Sequence, residues 1–397
     1  MIPLDEARRH VVERCPKLAE VDIAIGDALG GVLAVDVVSS QAVPPFDNTA
    51  MDGFALRAAD SVGAPQRLRI VGTIAAGDAP SFEVRPGQAA RIMTGAVIPA
   101  GADAIVMVER TTVDGDDVVV EISVEPGNHI RPAGDDIEAG DVVFEAGSLI
   151  EPGHIGVLAS IGSTQVAIYP RPRVGVLSTG DELVEGGGAL EPGQIHESNG
   201  RMLLAMLQQI GVEPVDLGLA HDDKASIEAA IRRGVDSCDA VVTSGGVSMG
   251  DYDYVKAVLD DIGDMRWMQI AIKPAKPFAF GLVDGVPVFG LPGNPVSSMV
   301  SFELLARPGL RAMQHRGDVE PAEVLAVADE NLSRHPDGKT HFLRVVARPG
   351  PDGRYHVQSS GGQGSHMLWA MARANGLAVV PDGDGIEAGG EVGLILL

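Results

Sequence analysis

The feature that most constrains the fold is a regular alternation of buried strands and amphipathic helices that begins at Arg173. Strands are predicted at RVGVLS, VEPVDLGL and DAVVTS, and a hairpin around DG at FAFGLV and VPVFGL. Helices are predicted at GRMLLAMLQQIG, KASIEAAIRRGVDS and YDYVKAVLDDIG, with a further helix after PGNP. Such alternation is typical of a doubly wound α/β fold with a parallel sheet.

The segments on either side of this α/β region are rich in short strands. A helix is predicted from about Leu4 to Arg14, and β-rich runs separated by PG, DG and AG turns extend from Leu68 to about Ala167. From about Ala322 the β-rich runs return and predict a small β-barrel, with a sandwich as the alternative. We expect four domains: an N-terminal or connecting domain (1–45 and 146–172), an inserted all-β domain (46–145), the α/β domain (173–318) and a C-terminal β domain (319–397).

Composition argues against a nucleic-acid partner, a membrane-spanning helix and a cysteine-based metal or redox site. The formal net charge is −25, from 55 acidic and 30 basic residues, which argues against nucleic acid because phosphates are neutralised by lysine and arginine. No apolar run approaches the ~18 residues that a membrane-spanning helix needs. The two cysteines, Cys15 and Cys238, form no metal or redox pattern, and a reducing, cytoplasmic setting fits them best.

Polar segments follow four of the predicted strands. They are STGDE (178–182), HDD (221–223), SGGVSMGDYD (244–253) and PGNPVSS (292–298). Ligands of open α/β sheets bind just beyond the carboxyl ends of the strands, so these loops predict a single site.

The SGGVS loop has the composition of an anion site. Gly245 and Gly246 permit close backbone approach and offer free amides, and Ser244 and Ser248 flank them. Carboxylates stand on the same loop and on its neighbours, and hard carboxylates beside a phosphate-binding loop suit Mg²⁺. These acids are Glu182, Asp222, Asp251 and Asp253.

Some polar residues of these loops also have a purely structural interpretation. Asp181 and Asp223 are interpreted as helix caps or solvated turn residues. Asn294 is a candidate N-cap, because Pro295 stands where a helix can begin. Ser297 then falls in the first turn, where an oxyanion is favoured.

Lysine is rare, and two of the six lysines stand together in KPAKP. Lys273 and Lys276 are flanked by prolines that stiffen the backbone, which favours an anion site over a solvated strand end. Other candidates have turn or surface roles as alternatives. They are Asp52 in MDGFA, Thr94 in MTGA, the pair Asp135 and Asp136, Arg344 on a strand, and Ser365 with His366 in a glycine-rich loop.

Eight motifs together resemble the molybdopterin molybdenumtransferase family (MoeA, and the E domain of gephyrin-like proteins). In order from residue 44 to 368 they are PPFDNTAMDGFA, IMTGAVIPAGADAIV, RPAGDDI, LSTGDEL, TSGGVSMGDYDYVK, AIKPAKPFAFG, LPGNPVSSMVSFE and GSHML. The resemblance implies a four-domain homodimer whose α/β domain is similar to molybdopterin adenylyltransferases of the MogA type. It also implies insertion of molybdate into adenylylated molybdopterin with Mg²⁺-dependent hydrolysis of the adenylate, giving molybdenum cofactor and AMP.

The resemblance assigns roles to individual residues. It implies catalytic roles for Asp52, Glu182, Asp222 and Asp253, and Mg²⁺ ligation by Asp253, Asp251 and Glu182. It implies substrate binding by Thr94, Asp136, Ser244, Gly245, Gly246, Ser248, Lys273, Lys276, Pro292, Asn294, Pro295, Ser297, Arg344 and Ser365. On the β module, Asp52, Thr94 and Asp136 are expected to reach the cleft of the partner subunit.

The sequence departs from the family pattern at three positions. Ala275 stands where glycine is common, which the backbone tolerates if its φ is negative. Gln269 replaces a frequent lysine, and Phe54 replaces a frequent tyrosine.

Two rival functions remain, a molybdopterin adenylyltransferase and a non-enzymatic scaffold. A molybdopterin adenylyltransferase is also an expected partner.

Overall fold

The computed structural model describes residues 1–247 and 254–397, so the predicted site residues Ser248, Asp251 and Asp253 lie outside the described residues. None of the described helices is both long and apolar enough to cross a membrane. The described α-helices are α1 (Leu4–Arg14), α2 (Pro152–Ser160), α3 (Asn199–Gln209), α4 (Lys224–Ser237), α5 (Tyr254–Ile262), α6 (Pro295–Ser301), α7 (Arg307–Met313) and α8 (Leu368–Ala372).

The strands of the described residues fall into three groups along the chain. Before the α/β region they are β1 (Val21–Ala24), β2 (Val32–Leu33), β3 (Val37–Val38), β4 (Asn48–Thr49), β5 (Gly53–Leu56), β6 (Gln66–Ile74), β7 (Gln88–Ile92), β8 (Ala104–Met107), β9 (Thr111–Asp114), β10 (Asp117–Val120), β11 (Ile130–Arg131), β12 (Val142–Phe144) and β13 (Gln165–Tyr169). In the α/β region they are β14 (Arg173–Thr179), β15 (Leu183–Val184), β16 (Ile195–His196), β17 (Glu213–Ala220), β18 (Ala240–Ser244), β19 (Asp264–Gln269), β20 (Ile272–Lys273), β21 (Pro277–Val283) and β22 (Val286–Leu291). After it they are β23 (Glu323–Ala328), β24 (Leu332–Ser333), β25 (Thr340–Pro349), β26 (Tyr355–Ser359), β27 (Gly376–Val380), β28 (Gly385–Ile386) and β29 (Glu391–Leu396).

The chain forms two compact units. The larger unit consists of Met1–Asp22, Gly30–Ala34 and Ala167–Leu397, and the smaller unit of Ile23–Leu29 and Val35–Val166. The boundaries of the four domains expected from the sequence remain predictions.

The smaller unit is built on a six-stranded sheet with the order β8-β5-β7-β6-β10-β9. Strand β5 pairs antiparallel with both β7 and β8, and its residues Phe54 and Leu56 are buried in an apolar cluster with Val106. The opposite face buries Ala55 with Ile105 in a second cluster, so residues of β5 alternate between two cores. The sequence predicted this β-rich architecture.

Two glycines of the smaller unit give a matched stability prediction. A Cβ on Gly53 would lie 2.1 Å from the carbonyl oxygen of Val106 on the paired strand, whereas a Cβ on Gly156, inside α2, would meet no atom within 4 Å. We expect Gly53→Ala to destabilise the smaller unit by about 1–3 kcal/mol through overpacking. Gly156→Ala should instead stabilise it by about 0.5–1 kcal/mol through lower entropy of the unfolded chain. Urea unfolding measures both; equal shifts in the two variants would contradict the prediction.

The α/β region of the larger unit has a six-stranded sheet with the order β17-β14-β18-β22-β21-β19. Strands β17, β14, β18 and β22 run parallel, and β21 and β19 run antiparallel to their neighbours. The predicted hairpin explains the reversal, because the two-residue turn Asp284–Gly285 can join only antiparallel strands. The sheet is therefore mixed: four strands are parallel, as the alternation predicted, and the predicted hairpin introduces the antiparallel part.

Both faces of this sheet are covered by helices. Val242 and Phe289 face one apolar core with Leu203 of α3, while their neighbours Val241 and Val288 face a second core with α4 and α5. Alternation of buried side chains along each strand places one layer of helices on each side. The prediction of a doubly wound arrangement is confirmed.

The C-terminal strands of the larger unit close into a barrel. The order is β25-β26-β23-β29-β27, and an additional pairing of β25 with β27 completes the ring around an apolar core. This confirms the barrel over the sandwich. Strand β20 adds to the outside of β25 in parallel, with Lys273 opposite His341.

A buried arginine joins two loops of the barrel. The side chain of Arg334 is only 1% exposed, and its guanidinium pairs with Asp337 and Asp382. It also donates to the carbonyl oxygen of Pro381 at 3.0 Å. Hydrogen bonds with the Lys339 ammonium and, to a smaller extent, with the His341 ring lower the pKa of the Asp337 carboxyl to about 2.

Candidate active site

The larger unit contains a cleft of about 730 Å³ at the carboxyl ends of β14, β18 and β22. Each of the four predicted loops contributes described residues to its wall. The predicted site residues that line it are Glu182, Asp222, Ser244, Gly245, Gly246, Pro292, Asn294 and Pro295.

The loop after β18 depends on glycine. Gly245 has φ +103° and Gly246 has φ +70°, a left-handed conformation that residues with a Cβ rarely adopt. A Cβ on Gly245 would also lie 3.0 Å from Oγ1 of Thr179, on the neighbouring strand. The Gly245 amide donates to the carbonyl oxygen of Leu291 at 3.0 Å, which holds the loop against the end of β22.

The acidic wall of the cleft is electrostatically strained. Burial raises the pKa of Asp222, and the nearby carboxylates of Asp181 and Glu182 raise it further, although a hydrogen bond from the Asp181 amide opposes them. The Asp222 amide in turn donates to Oδ1 of Asp181 at 3.1 Å, so the loops after β14 and β17 are tied together. Negative charge collected in this way favours a bound cation.

Two carboxylates of the cleft could help to hold a metal ion such as the Mg²⁺ expected from the sequence. Within residues 1–247 and 254–397, no three His, Cys, Asp or Glu side chains form a metal-binding cluster. Mg²⁺ usually takes one or two carboxylates and completes its shell with water and substrate phosphates. Glu182 and Asp222, which both line the cleft and repel each other, fit that requirement.

The structural interpretations of the loop residues have mixed outcomes. Asp223 is the N-cap of α4, and its carboxylate accepts from the Ser226 amide at 2.9 Å, as predicted. Asn294 is the N-cap residue of α6 and Pro295 begins the helix, both as predicted, although the Asn294 side chain makes no capping hydrogen bond. Asn294 also lines the cleft, and Ser297 is buried in the first turn of α6.

The two lysines of KPAKP are exposed and lie outside the cleft wall, while the next residue, Pro277, lines it. The Ile270 amide donates to the carbonyl oxygen of Lys276 at 2.8 Å and closes the loop between them. Ala275, inside this loop, is buried with φ +76°. The condition of a negative φ is therefore not met, and a residue with a Cβ in this conformation costs about 1–2 kcal/mol.

Arg344 is a buried cation without a carboxylate partner in the described part of the chain. It is 1% exposed, and its Nη2 donates to the carbonyl oxygens of Gly362 and Gly364 at 3.0 and 3.1 Å. Burial lowers its pKa to about 10. The glycine-rich loop that it holds continues to Ser365, whose carbonyl oxygen accepts from the Val296 amide of α6 at 3.1 Å.

The same loop brings an unexpected residue to the cleft. His366, interpreted from the sequence as a surface or capping residue, lines the cleft wall beside α6. Glu197, just before α3, and Asn199, its first residue, also line the cleft, and the sequence interpretation missed both. Their one sequence signal is their position beside the start of a predicted helix.

The remaining predicted residues lie in the smaller unit. Oδ1 of Asp52 accepts from both the amide and the hydroxyl of Thr94, each at 2.7 Å, and these bonds lower the pKa of the Asp52 carboxyl. Asp136 is exposed, and its amide donates to the carbonyl oxygen of Val43 at 3.0 Å. The structure therefore pairs Asp52 with Thr94 on the surface of that unit.

Comparison with known proteins covers the whole chain. Family profiles match residues 2–162 (MoeA N-terminal region, domain I and II), 175–312 (probable molybdopterin binding domain) and 326–397 (MoeA C-terminal region, domain IV). The molybdopterin molybdenumtransferase of Haemophilus influenzae is 39% identical over 98% of this chain and 97% of that protein. Molybdopterin molybdenumtransferase 2 of Mycobacterium tuberculosis is 39% identical over 96% of each chain. The molybdopterin biosynthesis MoeA protein of Pyrococcus horikoshii superposes with a TM-score of 0.80 at 32% identity, covering 100% of this chain and 99% of that one.

Proposed function

This chain belongs to the MoeA family of molybdopterin molybdenumtransferases, and we propose that it inserts molybdate into adenylylated molybdopterin. Hydrolysis of the adenylate accompanies insertion and gives molybdenum cofactor and AMP. The chain is accordingly a transferase of molybdenum cofactor biosynthesis. A homodimer, a molybdopterin adenylyltransferase as partner and a cytoplasmic location are further parts of the proposal.

One observation carries the proposal: a single cleft is lined both by carboxylates and by hydroxyl and glycine backbone groups. Glu182 and Asp222 supply the carboxylates, and Ser244, Gly245 and Gly246 line the same cleft. A phosphate-bearing ligand needs donors for its oxygens and a cation to offset its charge. The volume of about 730 Å³ lies within the usual range for sites that enclose small organic ligands.

The described residues divide the work on such a substrate. Ser244 and the Gly246 amide bind phosphate oxygens, and Glu182 and Asp222 would hold Mg²⁺ together with Asp253. When bound, Mg²⁺ supplies charge neutralisation and polarises the phosphoanhydride for attack by water. Lys273 and Lys276, both exposed, offer charge to the molybdate dianion.

Arg344 has the electrostatics expected of an anion-binding group. A buried guanidinium without a carboxylate is costly, and a bound oxyanion would offset that cost. The described residues give it only neutral carbonyl acceptors on the glycine-rich loop. We therefore assign Arg344 and Ser365 to the molybdate end of the substrate, opposite the carboxylates.

The function is tested with purified protein, adenylylated molybdopterin, molybdate and Mg²⁺. We expect AMP and active molybdenum cofactor to form together. If AMP is not released, while ATP and molybdopterin give the adenylate, the protein is an adenylyltransferase. If neither reaction occurs in folded protein, the non-enzymatic scaffold is the better interpretation.

Two substitutions should separate the two halves of the reaction. Lys276→Ala removes a positive charge beside the cleft and should raise the KM for molybdate about 10-fold. Asp253→Asn should leave that KM unchanged and slow AMP release about 100-fold. The matched control is Lys224→Ala, which removes another exposed lysine whose partner is Asp261. Identical defects in the first two variants would refute the division of roles.

A further inference from the structure

Asn199, the first residue of α3, ties together two loops of the cleft. Its Nδ2 donates to Oγ of Ser244 at 2.8 Å and to the carbonyl oxygen of Gly293 at 2.7 Å. Ser244 ends β18, and Gly293 lies between β22 and α6. A single amide group therefore connects the ends of two neighbouring parallel strands, and Asn199 itself lines the cleft.

The orientation of this amide group follows from its partners. The Gly293 carbonyl can only accept, so the nitrogen of Asn199 and not its oxygen must face it. Oδ1 of Asn199 is buried and has no hydrogen-bond partner among the described residues. An unpaired buried oxygen costs about 1–3 kcal/mol, so stability alone does not explain the arrangement.

The first consequence concerns the Ser244 hydroxyl. A hydroxyl group has one hydrogen to donate and two lone pairs to accept with. Because Nδ2 of Asn199 occupies a lone pair of Oγ, the hydrogen of Ser244 remains available to another acceptor. Asn199 thus makes Ser244 a hydrogen-bond donor within the cleft.

The second consequence concerns the peptide bond between Gly293 and Asn294. A trans peptide is planar, and its C=O and N–H point in opposite directions. With the carbonyl held by Asn199, the Asn294 N–H points away from α3. Within residues 1–247 and 254–397 this N–H donates to no protein acceptor, and Asn294 lines the cleft.

The start of α3 is itself held against the sheet by Glu197. Oε1 of Glu197 accepts from the Ser178 hydroxyl at 2.9 Å and from the Gly200 amide at 2.6 Å. Ser178 belongs to β14, so α3 begins at a set position relative to the sheet. The Asn199 amide group is therefore placed by the fold and not by a flexible loop.

We propose that Asn199 is a positioning residue that makes the Ser244 hydroxyl and the Asn294 amide donors to the phosphate oxygens of the ligand. The identity of the ligand rests on the proposed function. The Nδ2 of Asn199 donates to Oγ of Ser244 and to the carbonyl oxygen of Gly293. The Ser244 hydroxyl and the Asn294 amide are thereby left to donate to an anion.

The test is calorimetric titration with two probes, AMP and inorganic pyrophosphate, each in the presence of Mg²⁺. Asn199→Ala releases both loops and should weaken binding of each probe about 10-fold, the effect of losing oriented hydrogen bonds. Asn199→Asp adds a carboxylate that accepts the Ser244 hydrogen and repels the Gly293 carbonyl, and should weaken binding about 100-fold. If Asn199 has only a structural role, the loss of probe affinity in each variant should instead parallel the fall in its melting temperature.

A control and a double-mutant cycle complete the design. Arg201→Ala removes an exposed ion pair with Asp216 from the same helix and should leave both affinities within about 2-fold. Ser244→Ala combined with Asn199→Ala should lose less than the sum of the single losses, because both variants remove the same donor.

The outcomes separate the inference from the proposed function. Wild-type affinity in both Asn199 variants, or no pyrophosphate binding by the wild-type protein, would overturn the role of Asn199. Pyrophosphate binding that weakens in the predicted order supports it even if adenylylated molybdopterin is not converted. That last result would overturn only the proposed reaction.

Discussion

Replacing Arg334 with alanine should lower the free energy of unfolding of the C-terminal barrel by about 3–5 kcal/mol, because it leaves two carboxylates without their buried cation. The side chain is 1% exposed, and it joins Asp337 and Asp382 on separate loops. Backbone carbonyls that now accept from the guanidinium, such as that of Pro381, would lose their donor as well. Thermal and urea unfolding of the full chain measure the change.

The matched control for this prediction is Arg354→Ala in the same barrel. Arg354 also pairs with two acids, Asp352 and Glu391, but its side chain is 49% exposed. Exposed pairs contribute about 0–1 kcal/mol, so this variant should unfold close to the wild type. If both arginine variants lose the same stability, burial of Arg334 is not the reason for its effect.

The second large effect is expected at Asp222. Asp222→Asn should slow AMP release about 100-fold or more, because it removes a carboxylate that would hold the cation beside the phosphoanhydride. Asp223→Asn is the matched control, since asparagine caps helices as well as aspartate does. The Asp223 variant should keep wild-type AMP release; a comparable loss there would mean that Asp222 has no special role.

Asp222→Asn is expected to slow AMP release but to stabilise the folded protein. The folded protein raises the pKa of Asp222 above 3.8, so the charged form opposes folding. That unfavourable contribution is absent below pH 3.8, where the carboxyl is protonated in both states. It grows as the pH rises and is complete above the pKa of Asp222 in the folded protein. Asp222→Asn should therefore melt above the wild type at pH 7, and the difference should vanish in acid. A lower melting temperature at pH 7 would contradict the assignment of strain to this carboxyl.

Much of the fold could be predicted because the local signals agree with the tertiary structure. Helix α1 runs from Leu4 to Arg14 as its periodicity indicates, and the DG turn gives the β21–β22 hairpin. Strand β19 (Asp264–Gln269) was missed because its half-exposed residues show neither a buried run nor a clean alternation.

The candidate site was predictable in outline only. Four loops that follow strands converge because parallel strands end at one edge, a rule that needs no coordinates. The link from Asn199 to Ser244 and Gly293, in contrast, joins residues 45 and 94 positions apart, and no local pattern reports it. The positive φ of Ala275 was also not predicted, because alanine at this position favours a negative φ.

The pairing of β20 with β25 bears on how this chain can be divided. Residues 272 and 273 belong to the lysine-bearing loop, yet their hydrogen-bonded neighbours, Thr340 and His341, belong to the barrel. A fragment covering only 173–318 would leave that loop as a bare strand edge, which invites pairing with other chains. The α/β region therefore cannot be exchanged as a separate segment unless the barrel strand is transferred together with the lysines.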